Sequence, residues 1–193
     1  MQIYKGNSGS LKGCNFRGEA AEENDFYATP PEAVQELLKA EKFNHYIWEP
    51  ACGKGHISKE LEKAGYDVCS TDLFYRGFGD EEPLNFLNYK NENEIEDDII
   101  TNPPYSFATQ FVLKSLELLR QGGKAAFLLK LTFLSSDQRR QLFAETPPKV
   151  IYIFTKRIEC GKNGIFEGKK GVDYAWFIWE KGFKGDPIVK WIN

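Results

Sequence analysis

The chain has little of what metal centres and disulfide frameworks need. Its 193 residues include two histidines and four cysteines, and the cysteines (Cys14, Cys52, Cys69 and Cys160) show no C-x-x-C spacing. Zinc sites are built from clustered cysteine and histidine ligands. We therefore expect no metal, and free thiols kept reduced in the cytoplasm.

Long hydrophobic runs are also missing. No apolar stretch of the sequence approaches the roughly 20 residues that a helix needs to cross a bilayer. The first residues lack the apolar core of a signal peptide. These absences predict a soluble, cytoplasmic protein that does not act in a membrane.

The chain has no excess of positive charge either, since its net charge at pH 7 is -3. Acidic residues concentrate between positions 80 and 98. Basic residues concentrate toward the C-terminus, at Arg139, Arg140, Lys149, Lys156, Arg157, Lys162, Lys169 and Lys170. Such a cluster is either a solvated face or one wall of a cleft for a polyanion.

Hydrophobic periodicity predicts helices that alternate with strands. The predicted helices cover 30–42, with Thr29 as N-cap, 56–64, 108–119 and 137–144. The predicted strands cover 46–50, 66–72, 98–101, 124–129, 150–154 and 174–179, with a short candidate at 84–87. This order favours an α/β fold with a doubly wound, Rossmann-like sheet, mostly parallel with one antiparallel strand near the end. We expect an arm at 1–24 and a single domain at 25–193, without a separate target-recognition domain.

The stretch 46–72 indicates a nucleotide-binding βαβ unit. A strand ends in the glycine turn 49–55, a helix follows, and the next strand closes on Asp72. An acid at that position is placed to hold ribose hydroxyls. The turn lacks the G-x-G-x-x-G and Gly-Lys-Ser/Thr patterns, which argues against a pyrophosphate ligand. A tight turn without any ligand would also explain the pattern.

A second chemical signal is the Asn-Pro-Pro-Tyr turn at 102–105, directly after a buried β-branched strand. Proline has no N–H, so the carbonyls of Asn102 and Pro103 have no following donor to continue a strand ladder. They point outward beside a carboxamide and an aromatic ring. By itself, such a turn more often only ends a strand.

Taken in order, the motifs at 25–30, 49–55, 70–73 and 102–105 resemble those of the S-adenosylmethionine-dependent adenine-N6 DNA methyltransferases. The short phage-type members are the most similar, through the Tyr-Ala-Trp-Phe and Trp-Glu-Lys-Gly pattern at 174–182. Protein-glutamine and RNA-adenine methyltransferases also carry Asn-Pro-Pro-Tyr. The order of the four motifs favours the DNA enzymes.

The resemblance implies that S-adenosyl-L-methionine is the cofactor, and it implies roles for particular residues. Tyr27 and Thr29 would contact the methionine end. The turn residues Glu49, Ala51, Cys52 and Gly53 would hold the amino-acid part and surround the sulfonium, and Asp72 with Leu73 would hold the ribose. The family usually has an Asp-Phe pair at the cofactor adenine; this chain has Asn85 and Phe86, and the asparagine oxygen would take the place of the carboxylate.

The resemblance also implies how the target adenine is held. Asn102 and Pro103 would accept hydrogen bonds from its N6 amine, Pro104 would set the bend, and Tyr105 would stack on a base that has left the DNA duplex or belongs to a single strand. Phe166, or in reserve Phe107, would close the other side of the base. Phosphate contacts would come from Lys130, Arg139, Arg140, Lys156, Arg157, Lys162, Lys169 and Lys170.

Three alternatives stay open beside the DNA enzyme. An adenine-N6 methyltransferase acting on RNA would use the same turn. A protein-glutamine methyltransferase is disfavoured by the motif at 27–30 and by the basic C-terminal loop. A cofactor-binding or DNA-binding protein without catalysis would not need the intact 102–105 turn.

Overall fold

The computed structural model of the chain describes residues 26–168 and 171–193. The predicted arm at 1–24 lies outside the described residues, as do Cys14, Asp25, Lys169 and Lys170.

Helices and strands alternate along most of the described chain. The strands are β1 (Tyr27–Ala28), β2 (Tyr46–Glu49), β3 (Asp67–Ser70), β4 (Asp98–Thr101), β5 (Lys124–Lys130), β6 (Val150–Phe154), β7 (Gly161–Lys162), β8 (Tyr174–Glu180) and β9 (Ile188–Ile192). The α-helices are α1 (Pro31–Ala40), α2 (His56–Lys63), α3 (Ala108–Leu118) and α4 (Arg140–Glu145).

Among the described residues, seven strands form one sheet in the order β3-β2-β4-β5-β8-β6-β9. β8 runs antiparallel to both of its neighbours, β5 and β6, and the other pairings are parallel. The predicted doubly wound, mostly parallel sheet with one antiparallel strand is confirmed. Sequence reasoning missed β9, because its side chains are mostly exposed and carry no inward-facing pattern.

Both faces of the sheet are covered, since successive residues of a strand point to opposite sides. In β4, Ile99 packs into one apolar layer with α3, and Ile100 packs into the other with α1 and α2. The indole N–H of Trp176 in β8 donates to the Ala33 carbonyl at 2.8 Å. This bond fixes the start of α1 on the sheet and so positions the segment that precedes it.

Three local predictions differ from the structure. Thr29 is not a helix cap, because α1 begins after Pro30 and has no side-chain cap. The segment 84–87 is not a strand: a 3₁₀ turn at Phe86–Asn88 is closed by the Asn85 side chain. The helix at 137–144 is divided into a 3₁₀ turn at Asp137–Arg139 and α4.

A second, two-stranded sheet joins distant parts of the chain. β1 pairs antiparallel with β7, so that Tyr27 lies opposite Lys162 and Ala28 opposite Gly161. The Asn163 N–H also donates to the Phe26 carbonyl at 3.0 Å. We call residues 158–168 the strap. This segment contains β7 and belongs to the basic C-terminal loop, and its pairing with β1 joins that loop to the residues before α1.

The sheet order reverses between β2 and β4, which lie side by side while their following strands go to opposite edges. Such a switch point leaves a crevice at the carboxyl ends of the strands. Within the described part of the chain, no helix is long and apolar enough to cross a membrane.

Candidate active site

A cavity of about 620 Å³ opens at this switch point. That volume lies in the range of small-molecule and cofactor pockets. Its wall contains most of the residues predicted from the sequence: Tyr27, Thr29, Glu49, Ala51, Cys52, Asp72, Leu73, Asn85, Phe86, Asn102, Pro104 and Phe107. Motifs separated by up to 80 positions in the sequence therefore surround one space.

Asn102 is held in one orientation at the end of β4. Its Nδ2 donates to the Tyr27 carbonyl at 2.9 Å and to the Thr29 hydroxyl at 3.2 Å. A carbonyl only accepts, so the side-chain atom that faces it must be the NH₂ group. The Oδ1 atom is therefore left to accept a hydrogen bond from a ligand. Thr29, 2% exposed, holds the asparagine.

The backbone beside Asn102 offers another acceptor. The Pro103 carbonyl is followed by a proline without an N–H, and no donor among the described residues bonds to it. Pro103 is buried, and Pro104 turns the chain into a 3₁₀ turn at Tyr105–Phe107. The turn thus presents a carboxamide oxygen and a backbone carbonyl close together in the chain.

Glu49 places a carboxyl group in the cavity wall at the end of β2. It is 2% exposed and accepts hydrogen bonds from the Ser58 amide at 2.8 Å and from the Ser58 hydroxyl. No lysine or arginine of the described residues forms an ion pair with it. Burial raises the pKa of Glu49 to about 8; the Ser58 bonds oppose this increase and the charges of Asp72 and Glu62 add to it.

The glycine turn after β2 is fixed by contacts on both sides. Gly53 has a φ of +57°, and a Cβ atom there would come within 2.3 Å of the Phe26 ring. Its N–H donates to Asp72 Oδ2 at 2.8 Å, and the Phe74 N–H donates to Asp72 Oδ1 at 2.9 Å. Each carboxylate oxygen keeps a second lone pair for a ligand hydroxyl. Cys52 is buried in the wall, and burial raises the pKa of its thiol to about 12.

Asn85 and Phe86 form the far side of the cavity. The Asn85 Oδ1 atom accepts the Leu87 N–H at 3.1 Å, which closes the 3₁₀ turn. Phe86 is 2% exposed and packs against Trp48 and Phe111 at ring-centroid distances of 5.1 and 4.9 Å. Phe86 is therefore part of the core as well as of the wall.

Tyr105 stands beside the cavity and outside its wall. Its ring centroid lies 5.2 Å from that of Tyr27 and 6.2 Å from that of Tyr174. The ammonium of Lys130, the last residue of β5, lies 4.4 Å from the Tyr105 centroid. Two predicted substrate-binding residues are thus in direct contact.

The remaining predicted residues lie farther from the turn. Phe166 is on the strap and 44% exposed, and its ring centroid lies 6.4 Å from that of His56. Arg157 forms a bidentate pair with Asp173, with N···O distances of 2.6 and 3.2 Å. These contacts of Phe166 and Arg157 do not involve Tyr105.

Sequence reasoning missed part of the cavity rim. His56 and Arg76 line the cavity, and the Arg76 guanidinium lies 5.1 Å from the Phe26 ring centroid. Burial, followed by the charges of Lys59 and Lys54, lowers the pKa of His56. One sequence signal could have indicated this part of the rim. Residues 73–75 are a run of apolar residues in an otherwise polar loop, and exposed aromatic groups often mark a binding surface.

The sheet order and the position of the cavity define a Rossmann-like α/β fold of the methyltransferase kind. No group of three or more metal-ligating side chains occurs in residues 26–168 and 171–193. A scan against protein-family models and a search of curated proteins find no match to the chain.

Solved structures share this fold at low sequence identity. A Listeria monocytogenes protein assigned to the class I S-adenosylmethionine-dependent methyltransferases has a TM-score of 0.55 and 14% identity, over 82% of this chain and 61% of that one. The M protein of the type I restriction enzyme EcoKI has a TM-score of 0.55 and 17% identity, over 82% and 44%. An S-adenosylmethionine-dependent O-methyltransferase from Thermotoga maritima has a TM-score of 0.55 and 12% identity, over 83% and 69%. The chain thus spans less than two thirds of the length of the Listeria protein and of the EcoKI M protein.

The buried carboxyl group of Glu49 predicts an unusual pH dependence of stability. Between about pH 4.5 and 8, the folded protein retains a proton that the unfolded chain has lost, so the free energy of unfolding falls as pH rises, by about 1.4 kcal/mol per pH unit. Glu49→Gln keeps an oxygen for Ser58 and removes this titration. The free energy of unfolding of Glu49→Gln minus that of the wild type is expected to increase up to pH 8 and then to level off.

Urea unfolding of both proteins between pH 5 and 9 measures this difference. Glu117→Gln, a change on the exposed surface of α3, is the matched control and is expected to stay parallel to the wild type. A Glu49→Gln difference that does not change between pH 5 and 8 would show that the Glu49 carboxyl group ionises normally.

Proposed function

We propose that the protein transfers a methyl group from S-adenosyl-L-methionine to the N6 amine of adenine in DNA. The observation that carries the proposal is the fixed amide of Asn102. Because Tyr27 and Thr29 hold its NH₂ group, its oxygen and the neighbouring Pro103 carbonyl form a pair of acceptors suited to an amine with two N–H groups.

The cavity fits the proposed cofactor on three counts. Its volume suits a nucleoside-sized ligand. Asp72 follows β3, where it has lone pairs left for ribose hydroxyls. Glu49 is a buried acid without a cationic partner in the described residues, and the ammonium of the methionine part would supply that partner. When bound, S-adenosylmethionine provides the methyl sulfonium.

The acceptor pair addresses the central chemical difficulty of the reaction. The lone pair of adenine N6 is delocalised into the ring, so the amine is a poor nucleophile. Hydrogen bonds to Asn102 Oδ1 and the Pro103 carbonyl favour a pyramidal nitrogen and stabilise the positive charge that develops on it. Acceptors that a fold holds in place before the reaction need no reorganisation at the moment of transfer.

A nucleic-acid substrate requires a base outside its stack, and the turn provides Tyr105 for contact with such a base. We assign phosphate contacts to Lys130, which contacts Tyr105 of the turn, and to Arg139, Arg140, Lys156, Arg157, Lys162, Lys169 and Lys170. Residues 25–193 act in this proposal as one catalytic domain, and any reading of the DNA sequence falls to the segments at about 130–148 and 156–173.

A labelling assay tests the substrate class. The protein is incubated with methyl-labelled S-adenosylmethionine and, separately, with duplex DNA, single-stranded DNA, total RNA and protein extract, and the modified unit is identified after digestion. We expect N6-methyladenine in DNA. Label found only in RNA adenine or in glutamine would replace the DNA assignment, and no label in any arm would support a protein without catalysis.

Substitutions test the acceptor pair. Asn102→Ala removes one acceptor and is expected to lower the transfer rate by at least ~100-fold, with cofactor affinity nearly unchanged. Thr29→Val removes one of the two groups that hold the amide. The lost hydrogen bond costs about 1 kcal/mol, which is expected to lower the transfer rate roughly fivefold. Thr155→Val, whose hydroxyl bonds to Ile192 far from the cavity, is the matched control. A large loss of cofactor affinity in Asn102→Ala would contradict the assigned role.

Cofactor binding should release a proton from Glu49. Its pKa of about 8 means that it is mostly protonated at pH 7, whereas an ammonium partner favours the ionised form. Affinity for S-adenosylmethionine is expected to rise by up to tenfold per pH unit from pH 6 to 8. Calorimetry in two buffers of different ionisation enthalpy counts the protons released when S-adenosylmethionine binds. Binding to Glu49→Gln should release none. Equal proton release by both proteins would assign the titration to another group.

A further inference from the structure

Lys130 is placed unusually for a surface cation. It ends β5, lies opposite Tyr174 in the β5–β8 register, and holds its Nζ atom 4.4 Å from the Tyr105 ring centroid and 5.7 Å from that of Tyr27. Among residues 26–168 and 171–193, no carboxylate forms an ion pair with it. Its charge is thus set against aromatic faces.

The ammonium occupies space that a stacked base would need. Stacked aromatic rings have centroids about 4.5–7 Å apart, so a base on this face of Tyr105 would overlap an ammonium held at 4.4 Å. Stacking on that face requires Lys130 to move.

Of Tyr27, Tyr174 and Lys130, the described rings and cation around Tyr105, the lysine can leave without breaking the fold. Tyr174 is buried at the start of β8, and Tyr27 is paired with the strap through β1. Lys130 is only half-buried, and its charge is carried on a flexible four-carbon stem. A cation on an aromatic face is also held less tightly than one in a buried ion pair.

We propose that Lys130 stands in for the target base in the free protein and moves from Tyr105 to the phosphate of the entering nucleotide. The displaced ammonium meets a strong negative charge only when the base carries a phosphate, as every nucleotide within a strand does and a free nucleoside does not. Lys130 therefore makes the site selective for a nucleotide within a strand over a free nucleoside. This inference rests on the proposed function and adds a specificity-determining residue to it.

The first test compares an adenine-containing single-stranded oligonucleotide with deoxyadenosine as methyl acceptors. Lys130→Met keeps the stem and removes the charge. We expect its kcat/KM to fall about tenfold for the oligonucleotide and to stay equal or rise for deoxyadenosine, since no cation has to be displaced. Lys130→Arg should recover most of the preference.

The matched control is Lys190→Met. Lys190 also lies over a tyrosine ring, with Nζ 5.7 Å from the Tyr152 centroid, but it is on β9 at the far edge of the sheet. We expect Lys190→Met to leave kcat/KM unchanged for both the oligonucleotide and deoxyadenosine. If the wild type methylates the oligonucleotide and Lys130→Met retains the full preference, Lys130 has no such role while the proposed function stands.

The second test needs no turnover. The oligonucleotide's binding constant is measured against salt concentration, where each phosphate contact contributes about 0.7 to the slope of log K against log salt for a single strand. Lys130→Met should lose about one such contact and Lys190→Met none. Equal slopes for the two variants would overturn the proposal. A wild type that binds the strand but transfers no methyl group would instead count against the proposed function alone.

Discussion

The hydrogen bonds from the Asn102 amide to Tyr27 and Thr29 connect the two ends of the site. One end is the turn after β4, and the other is the short segment before α1, which also pairs with β7. Because the amide is satisfied on its NH₂ side, the orientation of its oxygen follows from the backbone of β1. The strap, α1 and the turn thus share one geometrical constraint, and the proposed acceptor pair depends on it.

Glu49 has a cost in stability at the wall of the cavity. A buried carboxyl group without a cationic partner favours its neutral form and weakens the folded state once it ionises. An apolar residue at the end of β2 would avoid this cost. The Ser58 bonds fix the carboxyl group at the end of β2, where no lysine or arginine of the described residues balances its charge. In the proposed function, the ammonium of the cofactor would balance it.

Strong periodic patterns allowed most of the fold to be predicted from the sequence. The buried strands β4, β5, β6 and β8 have continuous apolar runs, and the chemical motifs follow β2, β3 and β4, where a doubly wound sheet must bring them together. The two-residue pairing of β1 with β7, and the exposed β9, leave no comparable pattern because they depend on contacts between distant segments. For the same reason, the position of Phe166 beside His56 and the contact of Lys130 with Tyr105 were not predictable.

The location of β8 has a consequence for the order of folding. This strand lies between β5 and β6, and its Trp176 bonds to Ala33, 143 positions earlier in the chain. A nascent chain that ends before residue 174 has unpaired edges on both β5 and β6, and the start of α1 lacks its partner. Contacts of such long sequence separation form late and slowly. The segment that orients Asn102 is therefore completed only after β8 has been synthesised, so chains that end before residue 174 would expose strand edges without having a finished site.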